Sequence, residues 1–314
     1  MNRISVIVLS YNNLPLLTEA LDSVMMQDYS DWELILSDDG SNDFCLSKVE
    51  KYIKDNVSKN CKRVVVYTNE HNLGTVKNLN KAISYSQGSY IVPIAADDVF
   101  YDSSVLSRFA EIFAQNMNKF ILTSQVALYD NKLINFIDYT LVERDIKLLK
   151  EEDFSQIFGE LCLHSFLPAG GTAYRKEVFG LYGLFDENYR LVEDWPFSLK
   201  MARLGVPYHY CDFISLKHRD GGVSHNSTRS STQRVYQTDL LRIIEKEILP
   251  YVAFAPDAMQ EKIRIRCMDK KLIYSLRYEL QEKGIWQKCQ WFLTNKNFLQ
   301  VLFRGLKRRM LGNE

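Results

Sequence analysis

The stretch SYIVPIAADDVF, residues 89–100, runs apolar from Tyr90 to Ile94, stops on Ala95-Ala96 and ends in two adjacent carboxylates, Asp97 and Asp98. An apolar run of this length without alternation reads as a strand covered on both faces, the kind a parallel sheet contains. Upstream the same unit recurs. ISVIVL precedes LPLLTEALDSVMMQ, WELILS precedes a polar helix reaching about Val57, and RVVVYT precedes TVKNLNKAISYSQ; downstream, SSVLSRFAEIFAQN follows the quoted strand. Short β-branched runs alternating with helix-period segments predict βαβ units: an α/β, Rossmann-like fold with a mainly parallel central sheet and helices on both faces.

In such sheets ligands sit beyond the carboxyl ends of the strands. Those ends carry Ser10-Tyr11-Asn12, Ser37 to Ser41, Asn69 to Gly74, and Ala96-Asp97-Asp98. Asp38-Asp39 therefore faces Asp97-Asp98 across one rim. Taken alone, either pair is also ordinary chemistry, a helix cap or a turn. Four carboxylates in one crevice repel unless a cation or hydrogen-bond donors neutralise them, and oxygen ligands suit Mg²⁺ or Mn²⁺ bridging to phosphates.

From about Phe120 the pattern becomes mixed: FILTSQVALYD and LINFIDY as strands, a helix near Glu151 to Leu161, and a turn at Pro168-Ala169-Gly170-Gly171. A third acidic cluster, Glu193-Asp194-Trp195, opens a helical segment PFSLKMARLG. The stretch SHNSTRSST reads as a linker, so residues 1–225 form one expected domain and residues 226–314 a helical extension.

The 314 residues carry a formal charge of +0 and 46% hydrophobic residues, which excludes a whole-molecule field for nucleic acid and allows a sizeable core. Six scattered cysteines without a Cys-x-x-Cys pair fit reduced thiols, and no run reaches the roughly 18 apolar residues of a membrane span. These features point to a cytoplasmic protein.

Together SVIVLSYNN, WELILSDDGS, the segment from Asn72-Leu73-Gly74 to Asn78, GSYIVPIAADD, GGTAYRKEVF with FDENY, and VEDWPFSLKMARLG resemble the family 2 glycosyltransferases of GT-A fold. The resemblance covers residues 1 to about 225 and implies an inverting enzyme that uses a nucleotide-sugar donor, a saccharide acceptor and Mn²⁺ or Mg²⁺. It implies that Tyr11 lies against the base with Ser10 and Asn12 beside it, and that Asp39, with Asp38 next to it, accepts hydrogen bonds from base or ribose. Ala96 and Asp97 line the donor, and Asp97 and Asp98 bind metal. Ala95 stands where the family's first motif carboxylate is expected, which weakens the metal motif.

By the same resemblance Asp194 is the general base and Glu193 orients it or binds acceptor hydroxyls; the residue-level alternative for the pair is a cap on the helix after Pro196. Gly170-Gly171 would let backbone approach the donor sugar, or would simply turn. Lys77 and Arg175 are candidate diphosphate partners or surface charges. His218 is a candidate metal ligand, Arg219 a candidate phosphate contact and His225 a weaker candidate; His71 and His209 read as loop and strand-end residues. Trp195 packs either a sugar face or the core.

Beyond Gly284 the chain carries Lys288, Lys296, Arg304, Lys307, Arg308 and Arg309 interleaved with Trp286, Trp291, Phe292, Phe298, Leu302 and Phe303. A basic aromatic helix of this kind either lies on an anionic membrane surface or packs against protein, a second copy included. The expected function is transfer of a sugar, UDP-linked, to a saccharide hydroxyl, with a lipid-linked acceptor and surface-polysaccharide assembly in a bacterium as the setting. The rival reading is a catalytically weak nucleotide-sugar-binding or assembly protein, motivated by Ala95. A dinucleotide oxidoreductase is disfavoured, since SYNNLPLL lacks the Gly-x-Gly-x-x-Gly turn.

Overall fold

The computed structural model describes residues 2–221, 230–280 and 284–294. Strands β1 (Ile4–Ser10), β2 (Trp32–Asp38), β3 (Cys61–Thr68) and β4 (Tyr90–Ala95) alternate with helices α1 (Leu14–Met25), α2 (Leu46–Asn56) and α3 (Thr75–Tyr85), as the periodicity predicts. The order β3-β2-β1-β4 is parallel throughout. Every residue of β2 is buried, whereas β3, at the edge, alternates between exposed and half-buried.

The sheet continues past β4 as β8 (Thr172–Arg175), β6 (Ile121–Tyr129), β9 (Tyr208–Arg219) and β5 (Val99–Phe100), with β7 (Phe136–Tyr139) on β6. Here β8 runs antiparallel to β4 and β6, and β6 runs parallel to β9. The two faces of β1 belong to different cores. Val6 and Val8 pack with Leu17, Leu21 and Val24 of α1 and with Leu106, Phe109 and Phe113 of α4 (Val105–Gln115). Ile7 packs with α3 and with the helices that follow β7. Each fully buried aliphatic side chain in these layers contributes about 1.5–3 kcal/mol.

The single helix expected near Glu151 to Leu161 is two helices, α5 (Glu143–Glu151) and α6 (Phe154–Leu163). Glu152 takes a left-handed φ of 53°, and the Asp153 carboxylate accepts the Gln156 N–H at 3.0 Å, restarting the chain as a new helix. After α7 (Glu177–Tyr182), α8 (Asp194–Arg203) and β9 come α9 (Ser231–Ile243), a π turn and a 3-10 turn through Phe254, α10 (Asp257–Tyr274) and α11 (Ile285–Thr294). The expected linker ends earlier than its composition indicated. Ser230 caps α9 by accepting the Gln233 N–H at 3.1 Å, so Ser231 and Thr232 are already helical. Ile243, Ile248, Val252 and Ile263 from this region join the same core as Ile7 and Ile35, so the later helices and the sheet bury one another.

Candidate active site

The parallel strands end together. Ser10 is in register with Asp38, and Leu9 with Ala95. The ladder runs one residue further on each side, with Asp39 N–H donating to Ser10 O and Ala96 N–H to Leu9 O, both at 2.8 Å. Ser10 Oγ donates to Asn13 Oδ1 at 3.0 Å, and Asn12, at φ 52°, donates its N–H to Ser41 Oγ at 2.7 Å. Tyr11, between them, leaves 48% of its surface open on the rim.

Donors neutralise the first acid pair. Asp38 accepts from Ser41 N–H at 2.9 Å, Ser41 Oγ at 2.5 Å and Thr68 Oγ1 at 2.6 Å. Asp39 accepts from the Asn69 side-chain amide at 2.9 Å, Leu73 N–H at 2.8 Å and Gly74 N–H at 2.9 Å. Asp39 thus holds the loop that leads into α3, where Lys77 stands exposed one turn on. Gly40 is obligatory here: at φ 76°, a Cβ would lie 2.9 Å from the His71 carbonyl carbon.

The second pair is built differently. Pairing of Val99 with Lys217 delivers the end of β9 to the Asp97-Asp98 turn. Asp98 is 4% exposed and meets His218 Nδ1 at 2.9 and 3.0 Å and the Arg219 N–H at 3.1 Å. Burial opposes charge on the His218 ring, but the bond to Asp98 and its negative charge outweigh it and raise the imidazole pKa. Burial, and then the Asp98 charge, raise that of Asp97. Among the described residues, no three His, Cys, Asp or Glu side chains converge as a ready metal set. Ala95, at the missing carboxylate position, is exposed.

Two expected phosphate contacts are structural instead. The Arg219 guanidinium is buried and donates to Glu19, to the Asp97 carbonyl at 2.6 Å and to the Asn131 carbonyl at 2.8 Å, bracing the Asp97-Asp98 backbone. Arg175 pairs with Tyr90 at the start of β4, the opposite end of the parallel strands. Its guanidinium bonds the carbonyls of Phe113, Asn116 and Lys119 and lies over the rings of Tyr90 and Phe113. Gly171, at φ 79°, is needed for internal packing: a Cβ would meet Val126 Cγ2 at 2.6 Å. A Cβ on Gly170 would come within 3.9 Å of Asp98 Oδ2, which puts this turn beside the second pair.

The third pair opens α8. Glu193, the cap residue, makes no side-chain cap bond, and Asp194 occupies the first turn. Both are half-buried. Burial raises the pKa of both, and the charge of Asp194 raises that of Glu193 further, while backbone N–H groups at Asp194 and Trp195 only partly offset the shift of Asp194. Trp195 takes the core alternative, its indole N–H donating to the Leu161 carbonyl at 2.8 Å. Arg190, just upstream, donates to Asn72 O at 3.0 Å and Asn72 Oδ1 at 2.6 Å, joining this segment to the loop that Asp39 holds.

His209 lies on β9 with its Nε2 2.5 Å from Lys119 Nζ, far from these groups in register. His225 falls outside the described residues. So does most of the basic tail, although Ile285 and Trp286 on α11 are 80% and 88% exposed. Two cavities of about 750 and 760 Å³ lie elsewhere, lined respectively by residues around Arg175 and around Lys200 and Tyr251. Among the described residues no helix is long and apolar enough to cross a membrane.

This mixed α/β arrangement, a largely parallel sheet covered by helices, has the fold of the GT-A glycosyltransferases. The Glycosyl transferase family 2 model matches residues 5–182, more than half of the chain, and the protein belongs to that family. It is a glycosyltransferase. It is 25% identical over 252 residues to an uncharacterized glycosyltransferase of Haemophilus influenzae, covering 79% of this chain and 73% of the relative. A PGL/p-HBAD biosynthesis glycosyltransferase of Mycobacterium bovis is 24% identical over 196 residues, covering 62% and 68%. The fold superposes with a TM-score of 0.58 on S. aureus TarS 1-349 in complex with UDP-GlcNAc, at 19% identity, covering 95% of this chain and 81% of that one. It does so equally, at 0.58 and 14% identity, on the mannosyltransferase PcManGT from Pyrobaculum calidifontis in complex with GDP-Man and Mn²⁺, covering 100% and 88%.

Proposed function

We propose that the enzyme transfers a hexose-type sugar, with inversion, from a UDP-linked donor to a saccharide hydroxyl during bacterial surface-polysaccharide assembly, O-antigen, capsule or lipopolysaccharide. The observation that carries this reading is the half-buried Glu193-Asp194 pair: burial keeps its protons bound above the ordinary carboxylate range, the property of a general base working near neutral pH. Asp194 takes the proton of the acceptor hydroxyl as that oxygen attacks the sugar opposite the departing diphosphate. Glu193, neutral over a wider range, orients the acceptor. Ser10, Tyr11 and Asn12 bind the base; Asp39, with Asp38 behind it, shapes the nucleotide side through the loop it holds.

Asp98, His218 and Asp97 carry carboxylate and imidazole groups of the kind that hold Mn²⁺ or Mg²⁺. Asp98 is already bonded to His218 and Arg219, so an ion here would depend chiefly on the donor diphosphate for its ligands. Such an ion would neutralise the leaving diphosphate. Exposed Trp286 supports peripheral contact of α11 with the inner face of the cell membrane, where a lipid-linked acceptor would be met.

A screen of UDP-, GDP- and dTDP-sugars for hydrolysis or transfer, with and without Mn²⁺, tests the reading. Turnover of one nucleotide class, lost in Asp194→Asn, is the expected result. Nucleotide binding without turnover would favour the second reading, a catalytically weak binding protein, for which the exposed methyl of Ala95 is the supporting observation.

A further inference from the structure

Asp239 lies on α9, beyond the family match at residues 5–182, and is 2% exposed. A buried carboxylate on a helix requires partners. Its Oδ2 accepts the N–H groups of Arg190 at 2.8 Å and Leu191 at 2.7 Å, two consecutive residues just before Glu193-Asp194. Arg242 stands 3.8 Å from its other oxygen and also donates to the Asn188 carbonyl. One side chain from a helix outside the matched region therefore fixes the backbone entering the candidate base.

Arg190 extends the connection. Its guanidinium donates to Asn72 O and Oδ1, and its carbonyl accepts the Val76 N–H at 3.3 Å. Gly74 sits against it so closely that a Cβ would lie 2.5 Å from Arg190 Cγ and 2.6 Å from its carbonyl oxygen. The Leu73 and Gly74 N–H groups in turn point at Asp39. The contacts run unbroken from α9 to the nucleotide-side acid.

We infer that Asp239 and Arg190 are positioning residues that clasp the segment carrying Glu193-Asp194 to the loop held by Asp39, so that donor pocket and base are set as one unit. This rests on the functional reading above. Neither residue reacts; each acts through the backbone it holds. Tyr236, one turn earlier on α9, faces the same pair: burial and the charges of Asp194 and Glu193 push its phenol up to about 12. The signal was weak in sequence, since an Arg in a loop and an Asp within a helix look like solvated charges.

The test uses the full chain as wild type, D239N, R190A and R190K. Hydrogen exchange of backbone amides is read first and needs no ligand. In D239N the Arg190 and Leu191 amides exchange at least tenfold faster, and Leu73 and Gly74 accelerate with them; acceleration confined to Arg190 and Leu191 overturns the clasp. Should D239N fail to fold, R190A, at an exposed side chain, carries the same readout at Leu73 and Gly74. UDP, GDP and dTDP are then titrated by calorimetry. R190A weakens the bound nucleotide about tenfold and R190K less, with kcat falling less than affinity; unchanged affinity in R190A overturns the proposal. A wild-type protein that binds none of the three defeats the functional reading instead, and the exchange result still decides the clasp.

Discussion

Asp38-Asp39 and Glu193-Asp194 share one covalent arrangement, two neighbouring carboxylates at an element's end, yet their surroundings differ. Each member of the first pair accepts three N–H or O–H donors, Asp38 from Ser41 of its own turn and from Thr68, Asp39 from Asn69, Leu73 and Gly74 of the loop after β3. The second pair has backbone N–H groups at a helix start and little else, and burial lifts both pKa values. A fully donated carboxylate is architecture; one left with a raised proton affinity can exchange that proton with a substrate. The Asp97-Asp98 pair is intermediate, one acid bonded to His218 and Arg219 and the other raised by burial.

The sharpest way to break this comparison is Asp194→Asn, which should lower kcat by roughly 10²–10⁴-fold with nucleotide affinity retained, as kinetics and calorimetry would report. At the first pair the damage should fall on stability. Asp39→Ala leaves the Leu73 and Gly74 N–H groups without their acceptor and the buried Asn69 amide with only Asn78 Oδ1, and should destabilise the fold by roughly 2–4 kcal/mol in urea titrations. Ala95→Asp adds an acid beside the intermediate pair and should tighten Mn²⁺ binding about tenfold, measured by calorimetry.

The smallest effect expected is a gain. The folded pKa of Glu193 is raised, so its ionisation disfavours the fold: stability is full below the unfolded pKa and falls as pH rises through the folded one. Glu193→Gln cannot ionise. It should raise Tm by about 1–3 °C at pH 8 and change it little at pH 4, in paired thermal melts.

The parallel half of the fold was legible because β1, β2 and β4 are short apolar runs buried on both faces, and the edge strand β3 keeps the same β-branched composition. The far half was less so. His218 meets Asp98 across 120 positions through a two-residue strand, Val99–Phe100, that no periodicity can reveal. The acid pairs themselves could be found by spacing. Which pair is donated and which is raised could not, since that depends on Thr68, Asn69 and Gly74 arriving from another loop. Arg175 and Arg219 misled for a related reason: a sequence shows a cation but not the carbonyls that absorb it.

The central claim is that the raised pair, and not the donated one, handles the proton. The pH profile of kcat for donor turnover in wild type and Asp194→Asn tests it most directly. The prediction is an acid limb centred above the ordinary carboxylate range of about 4 in the wild type, with the limb and the activity both lost in the variant. A wild-type profile flat from pH 8 down to pH 4, or an Asp194→Asn enzyme that keeps the wild-type rate and limb, would contradict it.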